Sequence, residues 1–308
     1  MPPTPRARVR LLSRSGRAQP GLFAPLVLAQ AAEIEALPLA EFLGNPTKLA
    51  KGLTALHQAL ATDAVVTAGA DGLLAEAAGA ELDWNTYPPV VISHPGAGGT
   101  LPADVAEAAA THPRVAAAVE ATARLAATLP GDPALVAALT GPATLAAQLG
   151  GEWFAGAATG GGPEVEAFME AVGQVALTVT KRFLDAGANL VVLVEEQAPP
   201  EPVHEAWRSA VTPLANVTRF HQGAPVMVFE SAAPADCGSA PPTIGLCAAE
   251  GIAVGGPPVR VRGVALPPEP KEWIAPAGQP ALVITAGVVP GHCAFAETLA
   301  ACGRLAGR

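Results

Sequence analysis

Residues 134–195 read ALVAALTGPATLAAQLGGEWFAGAATGGGPEVEAFMEAVGQVALTVTKRFLDAGANLVVLVE. The two ends, Ala134–Thr140 and Leu190–Glu195, are short and almost unbroken apolar runs. Such runs suit strands covered on both faces, as in parallel sheets. Between them the period changes. Val165, Phe168, Met169, Val172, Val179 and Phe183 fall on one face of a helix from Pro163 to about Asp185. Glu164 and Glu166 lie in its first turn and Lys181 and Arg182 in its last, each sign at the end of the dipole that favours it. Gly187 stops it. Strand, crossover helix and strand in this order specify a βαβ unit.

The same alternation extends in both directions. Strands are expected at Phe23–Leu28, Ala64–Thr67, Ala134–Thr140, Leu190–Glu195, Val226–Glu230, Thr243–Cys247, Val259–Leu266 and Ala281–Thr285. Val90–Ser93 is a further candidate, placed in an excursion of a loop. Asn45-Pro46 is a cap and first-turn pair opening a helix with Leu49, Leu53, Leu56 and Leu60 on one face. Val115, Val119 and Leu129 mark another, with Glu120 and Arg124 paired outside. Eight strands with helices between them predict a single closed (β/α)8 barrel. The alternative is an open doubly wound sheet, but no Gly-rich phosphate fingerprint follows the first strand. A barrel takes roughly 250 residues. The 308 residues, half of them hydrophobic, therefore divide into a barrel over 21–308 and a basic, unstructured tail over 1–20. The working surface is expected on the loops after the strands.

The formal net charge is −9, and five of the 18 basic residues (Arg6, Arg8, Arg10, Arg14 and Arg17) crowd the first 17 positions without an acid. The rest of the chain is thus more acidic than the total. It is a poor partner for nucleic acid or an anionic membrane, and for a polyanionic substrate unless bases cluster in the site. No run approaches the ~18 apolar residues of a membrane span. Leu22–Ala29 after the arginines, with Ala29-Gln30-Ala31, has the look of a secretion signal. Pro25 interrupts it, and the run reads better as the first strand. Four cysteines without a CxxC pair indicate reduced thiols in a cytoplasmic protein.

Several segments carry a family resemblance. Ala75-Glu-Ala-Ala-Gly-Ala-Glu-Leu-Asp-Trp84 after the second strand, Leu139-Thr-Gly-Pro-Ala-Thr-Leu-Ala-Ala-Gln-Leu149, Leu184-Asp-Ala-Gly-Ala188 before Leu190–Glu195, and Phe42-Leu-Gly-Asn-Pro46 stand in the order found in the uroporphyrinogen decarboxylase superfamily. Over residues 22–300 the chain resembles a divergent member. The resemblance implies a (β/α)8 barrel with chemistry at the strand C-termini. It also implies either decarboxylation of acidic tetrapyrroles or zinc- and corrinoid-dependent methyl transfer.

The residues discriminate between these branches. Arg14-Ser-Gly-Arg17 is similar to the decarboxylase "RQAGR" element, but it is one residue short and precedes the first strand. A substrate with many carboxylates needs several guanidinium forks. Methyl transfer is therefore the expected reaction, on a small-molecule substrate, with a corrinoid or folate methyl carrier and a corrinoid protein as the implied partner. A decarboxylase and a non-catalytic barrel binding a tetrapyrrole or corrinoid stay open as alternatives.

Four catalytic candidates follow. Asp71 lies just after the second strand, near where the resemblance places a catalytic aspartate; Asp71-Gly72 also reads as a simple turn. Glu195 ends the fourth strand beside Glu196, and only one of two adjacent acids can face the mouth. Glu230 ends the fifth. His94, before a Gly-rich stretch, is a candidate lid residue or base. The methyltransferase zinc motif is absent as written: the fifth strand ends in Glu230-Ser231, and Gly287-Val288-Val289 stands where "GCG" belongs. Cys237, His292 and Cys293, with Glu230, are the candidate ligands of a displaced zinc site, since loops after different strands meet at one mouth.

Overall fold

The computed structural model describes residues 3–15, 20–230, 244–247, 254–255, 263–276 and 278–305. Its elements begin with α1 (Pro5–Ser15), β1 (Leu22–Ala24), α2 (Gln30–Glu35), α3 (Leu39–Leu43), α4 (Pro46–Leu60), β2 (Ala64–Ala68) and α5 (Leu73–Ala77). A two-stranded antiparallel excursion, β3 (Leu82–Asp83) and β4 (Val90–Val91), comes next. The chain continues through α6 (Val105–Thr111), α7 (Pro113–Thr128), β5 (Ala134–Thr140), α8 (Pro142–Ala157), α9 (Pro163–Asp185), β6 (Leu190–Glu195), α10 (His204–Phe220) and β7 (Ala224–Phe229). It ends with β8 (Ile244–Cys247), β9 (Val254–Gly255), β10 (Gly263–Leu266), β11 (Leu282–Thr285) and α11 (Phe295–Leu305).

Strands β2, β5, β6, β7 and β8 pair in parallel in that order, and β1, β11 and β10 form a second parallel set. The two sets close on each other. Asp63, just before β2, donates its N–H to the Phe23 carbonyl at 3.0 Å and accepts the Phe23 N–H at 2.9 Å, while β10 lies against β8. The result is an eight-stranded (β/α)8 barrel. Every residue of β5 and of β6 is buried, as their unbroken apolar runs require. β9 adds an antiparallel edge to β8.

Strand boundaries shifted where local chemistry intervened. The first strand stops at Ala24 because Pro25 has no N–H to give to a ladder, although 25–32 stay buried. Asn45 caps α4 by accepting the Thr47 and Lys48 N–H groups, and Arg124 pairs with Glu120 on α7 as expected.

The expected unstructured tail is corrected. Residues 5–15 form α1, which buries Val9 and Leu12 and packs against β1, β5 and β7. Arg8 explains why. Its guanidinium donates to the Gly21 carbonyl at 2.8 Å and forms an ion pair with Asp63. Arg6 pairs with Asp132 at 3.1 Å. Asp63 and Asp132 precede β2 and β5, so α1 closes the N-terminal end of the barrel and leaves the opposite mouth free. Two of the five arginines, Arg6 and Arg8, are thus spent on carboxylates at the barrel bottom. Among the described residues, no helix is long and apolar enough to cross a membrane.

Candidate active site at the barrel mouth

Three groups of polar side chains sit beyond the C-terminal strand ends. The first follows β2. Asp71 is 1% exposed. It receives an ion pair from Arg114 at 2.7 Å and the Tyr87 hydroxyl at 3.1 Å, and the Leu73 N–H completes a turn at the start of α5. Arg114 also bonds Glu76 at 2.9 Å and lies over the Trp84 ring at 4.5 Å. Burial raises the Asp71 carboxyl above its ordinary value, and Arg114 and Tyr87 partly draw it back. Burial and the neighbouring Asp71 charge push Tyr87 well up, so it stays a neutral donor. Asp71 therefore makes the turn that Asp71-Gly72 predicts, and its carboxylate is held buried in an ionic network. That network seals it from the mouth.

The second group follows β6 and β7. Glu195 is fully buried. Its carboxylate accepts the N–H groups of Ala143 (3.0 Å) and Thr144 (2.8 Å) and the Trp207 indole N–H (2.8 Å). It thus holds the N-terminus of α8, where a negative charge is favoured. Burial still raises its carboxyl, against those hydrogen bonds. Gly141 lacks a side chain because a Cβ there would fall inside this carboxylate. Glu196 turns the other way, as alternation along a strand demands. It is exposed and takes a hydrogen bond from Gln148 at 3.4 Å. Glu230, whose N–H donates to the Glu195 carbonyl, opens to solvent at the rim of the mouth. Partial burial and the Glu196 charge raise its carboxyl to about 7. Its side chain crosses to β11 and rests on Gly287, where a Cβ would collide with it.

The third group joins the loops after β10 and β11. His292 Nε2 lies 2.9 Å from Glu269 Oε1, and the Cys293 thiol donates to Glu269 Oε2 at 3.2 Å. Burial and the adjacent carboxylate push that thiol up to about 12.

The predicted residues therefore separate. Asp71, Glu195 and Glu230 stand at three different strand ends, with only Glu230 open. His94 is exposed, bonds the Gln148 carbonyl through Nδ1 at 2.8 Å and leans on Gly151 of α8. His292 and Cys293 do come together, but on Glu269 and not on Glu230. Cys237 lies outside the described residues. The sequence reading missed Arg114, Tyr87, Trp84 and Glu269. Two had signals. An arginine in the first turn of a helix opposes the dipole and demands a special reason. Glu269 follows a strand, as Glu195 and Glu230 do.

The zinc donors of the methyltransferase branch do not fit their usual positions here. Glu230 and Gly287 occupy them side by side, offering one carboxylate and a residue with no donor side chain.

Eight parallel strands closed into a ring with helices between them define the class: a (β/α)8 barrel protein, with carboxylates beyond several of its strand ends. Within that class the uroporphyrinogen decarboxylase (URO-D) family model matches residues 24–252, so the chain belongs to that family. Among solved structures it is similar to a methyltransferase from Methanosarcina mazei, with a TM-score of 0.69 and 16% identity over 98% of each chain. At that identity the likeness speaks for the fold. No curated protein sequence matches significantly.

Proposed function

We propose that the protein is an enzyme transferring a methyl group at the barrel mouth, with Glu230 taking the proton of the acceptor. The observation that carries this reading is the charge of the mouth. Two arginines are buried among the described residues. Arg8 lies at the barrel bottom, and Arg114 is already neutralised by Asp71 and Glu76. Among the described residues just after β6 and β7, the open charged groups are Glu196 and Glu230. A tetrapyrrole bearing many carboxylates would meet repulsion and desolvation without guanidinium partners. A neutral acceptor such as a small thiol meets a carboxylate of the right strength.

A group titrating near 7 is balanced between holding and releasing a proton at neutral pH. In the proposed step the acceptor's X–H bond breaks and its proton passes to the Glu230 carboxylate. The lone pair left on X forms the bond to the methyl carbon. A methyl carrier, when bound, would give up the methyl and keep the electron pair of the bond that breaks. A corrinoid or a folate supplies that chemistry when bound. Glu195 acts as a positioning residue by fixing α8, and the Asp71–Arg114–Tyr87 network fixes the wall after β2. The reading is supported by family membership and by the methyltransferase fold neighbour.

The test offers methylcobalamin and methyltetrahydrofolate with a panel of small thiols, reading thioether by mass spectrometry. A parallel arm reads carbon dioxide from uroporphyrinogen. Thioether formation that drops roughly 10²- to 10⁴-fold in Glu230→Gln supports the proposal. Carbon dioxide release without methyl transfer overturns it in favour of a lyase. Silence in both arms with retained corrinoid binding overturns it in favour of a non-catalytic barrel.

A further inference from the structure

The loops after β10 and β11 bring a carboxylate, an imidazole and a thiol to one point. The ligand atoms of Glu269, His292 and Cys293 all lie within 4.8 Å of one another. The imidazole meets one Glu269 oxygen (Oε1, 2.9 Å) and the thiol the other (Oε2, 3.2 Å), so the carboxylate lies between the other two donors. The set is one oxygen, one nitrogen and one sulfur. That mixture is borderline-soft and matches zinc better than magnesium or calcium, which take oxygen.

The donors are also held in place. Gln30 donates to the Cys293 carbonyl at 2.9 Å and to the Pro290 carbonyl at 3.0 Å. The Cys293 N–H bonds the Pro290 carbonyl at 3.1 Å. Glu33 accepts the Phe295 N–H at 2.8 Å. On the other loop, Trp273 donates to the Pro267 carbonyl at 2.8 Å and Arg304 to the Pro270 carbonyl at 3.2 Å. Pre-positioned donors of this kind distinguish a site from a chance meeting of flexible side chains. One side is covered by the buried Cys293, and the other opens to solvent where the His292 side chain is 71% exposed. Three protein ligands with one open face is the arrangement of a zinc ion that keeps a water or an exchangeable ligand.

We infer that Glu269, His292 and Cys293 form a binding site for Zn²⁺ that ties the β10 loop to the β11 loop and leaves one coordination position facing solvent. Binding displaces the proton that the thiol shares with Glu269, so the ion is held by thiolate, carboxylate and neutral imidazole, and one proton leaves to solvent. Lys271, whose ammonium lies 3.8 Å from Glu269 Oε2, competes with the metal for that carboxylate; its side chain is largely exposed and free to swing away. The site does not use Glu230, and its zinc affinity does not depend on whether the barrel transfers methyl groups.

The test is metal content of the whole protein after equilibration with zinc and dialysis, followed by titration with zinc alone. We expect close to one zinc per chain. X-ray absorption should show one sulfur at about 2.3 Å and nitrogen or oxygen at about 2.0–2.2 Å. His292→Ala, at an exposed position, and Cys293→Ala, a change to a smaller side chain, should each weaken binding by at least roughly tenfold to a hundredfold. Lys271→Ala should tighten it. Circular dichroism identifies variants that keep the fold. Zinc absent from the wild-type protein, or zinc retained with unchanged affinity in a folded His292→Ala variant, overturns the assignment.

Discussion

Replacing Arg114 by Met tests the sealed network after β2. The wild-type guanidinium makes an ion pair to Asp71 at 2.7 Å, another to Glu76 at 2.9 Å, and stacks on Trp84. Met keeps most of the packing volume and removes the charge. Asp71, 1% exposed, is left with the Tyr87 hydroxyl and the Leu73 N–H but no counter-ion. Breaking a buried pair from one side costs about 3–5 kcal/mol. The pH dependence gives a second check. Burial already raises the Asp71 carboxyl, and losing Arg114 raises it further. A group with a raised folded pKa stabilises the fold below its unfolded value, near 3.9, and loses that contribution as pH rises through the folded value. The deficit of Arg114→Met against wild type should therefore be small in acid and grow towards neutral pH. Denaturant melts at several pH values, read by circular dichroism, measure it. The double variant Arg114→Met/Asp71→Asn removes the stranded charge and keeps both hydrogen bonds, so it should recover most of the neutral-pH loss. A neutral-pH loss below about 1 kcal/mol, or a loss that does not change with pH, would refute the reasoning.

Four further outcomes follow from the geometry. Glu230→Gln should be more stable than wild type at pH values above 7 and nearly equal below the ordinary carboxylate range, because the wild-type group titrates at about 7 and its ionised form is the disfavoured one; thermal melts at the two extremes check it. Glu196→Gln should lower the Glu230 pKa, since a neighbouring negative charge is lost, and a carbon-detected NMR titration reads that shift. Leu12→Ala on α1 should cost about 2–5 kcal/mol, as expected for a fully buried leucine and not for a residue in an unstructured tail. Gly141→Ala should destabilise by several kcal/mol in the same melts, because its new methyl group occupies the space of the buried Glu195 carboxylate.

The barrel was legible because its strands are apolar on both faces. Ala134–Thr140 and Leu190–Glu195 were placed to the residue, since nothing in them competes with burial. The N-terminal arginines misled, because composition reports charge and not its partners. Arg8 finds Asp63, 55 positions away, and Arg6 finds Asp132. The site was legible as a set of strand ends and no further. Glu195 and Glu230 each follow a strand, yet one is buried under α8 and the other is open. That difference depends on Trp207 and on the turn of α8 at Gly141, which no local pattern reveals. His292 and Cys293 were visible as ligand types. Their third partner had to come from a different loop, and spacing along the chain carries no information about which one.

Among the described residues, no buried guanidinium is left free to meet a polycarboxylate at the mouth. Fluorescence titration of wild-type protein with uroporphyrin, the stable oxidised form carrying all the substrate's carboxylates, tests it most directly, with cobalamin titrated in parallel. The account predicts weak uroporphyrin binding and tighter cobalamin binding that survives added salt. Tight, salt-sensitive uroporphyrin binding would contradict it, and would return the protein to the decarboxylase branch of its family.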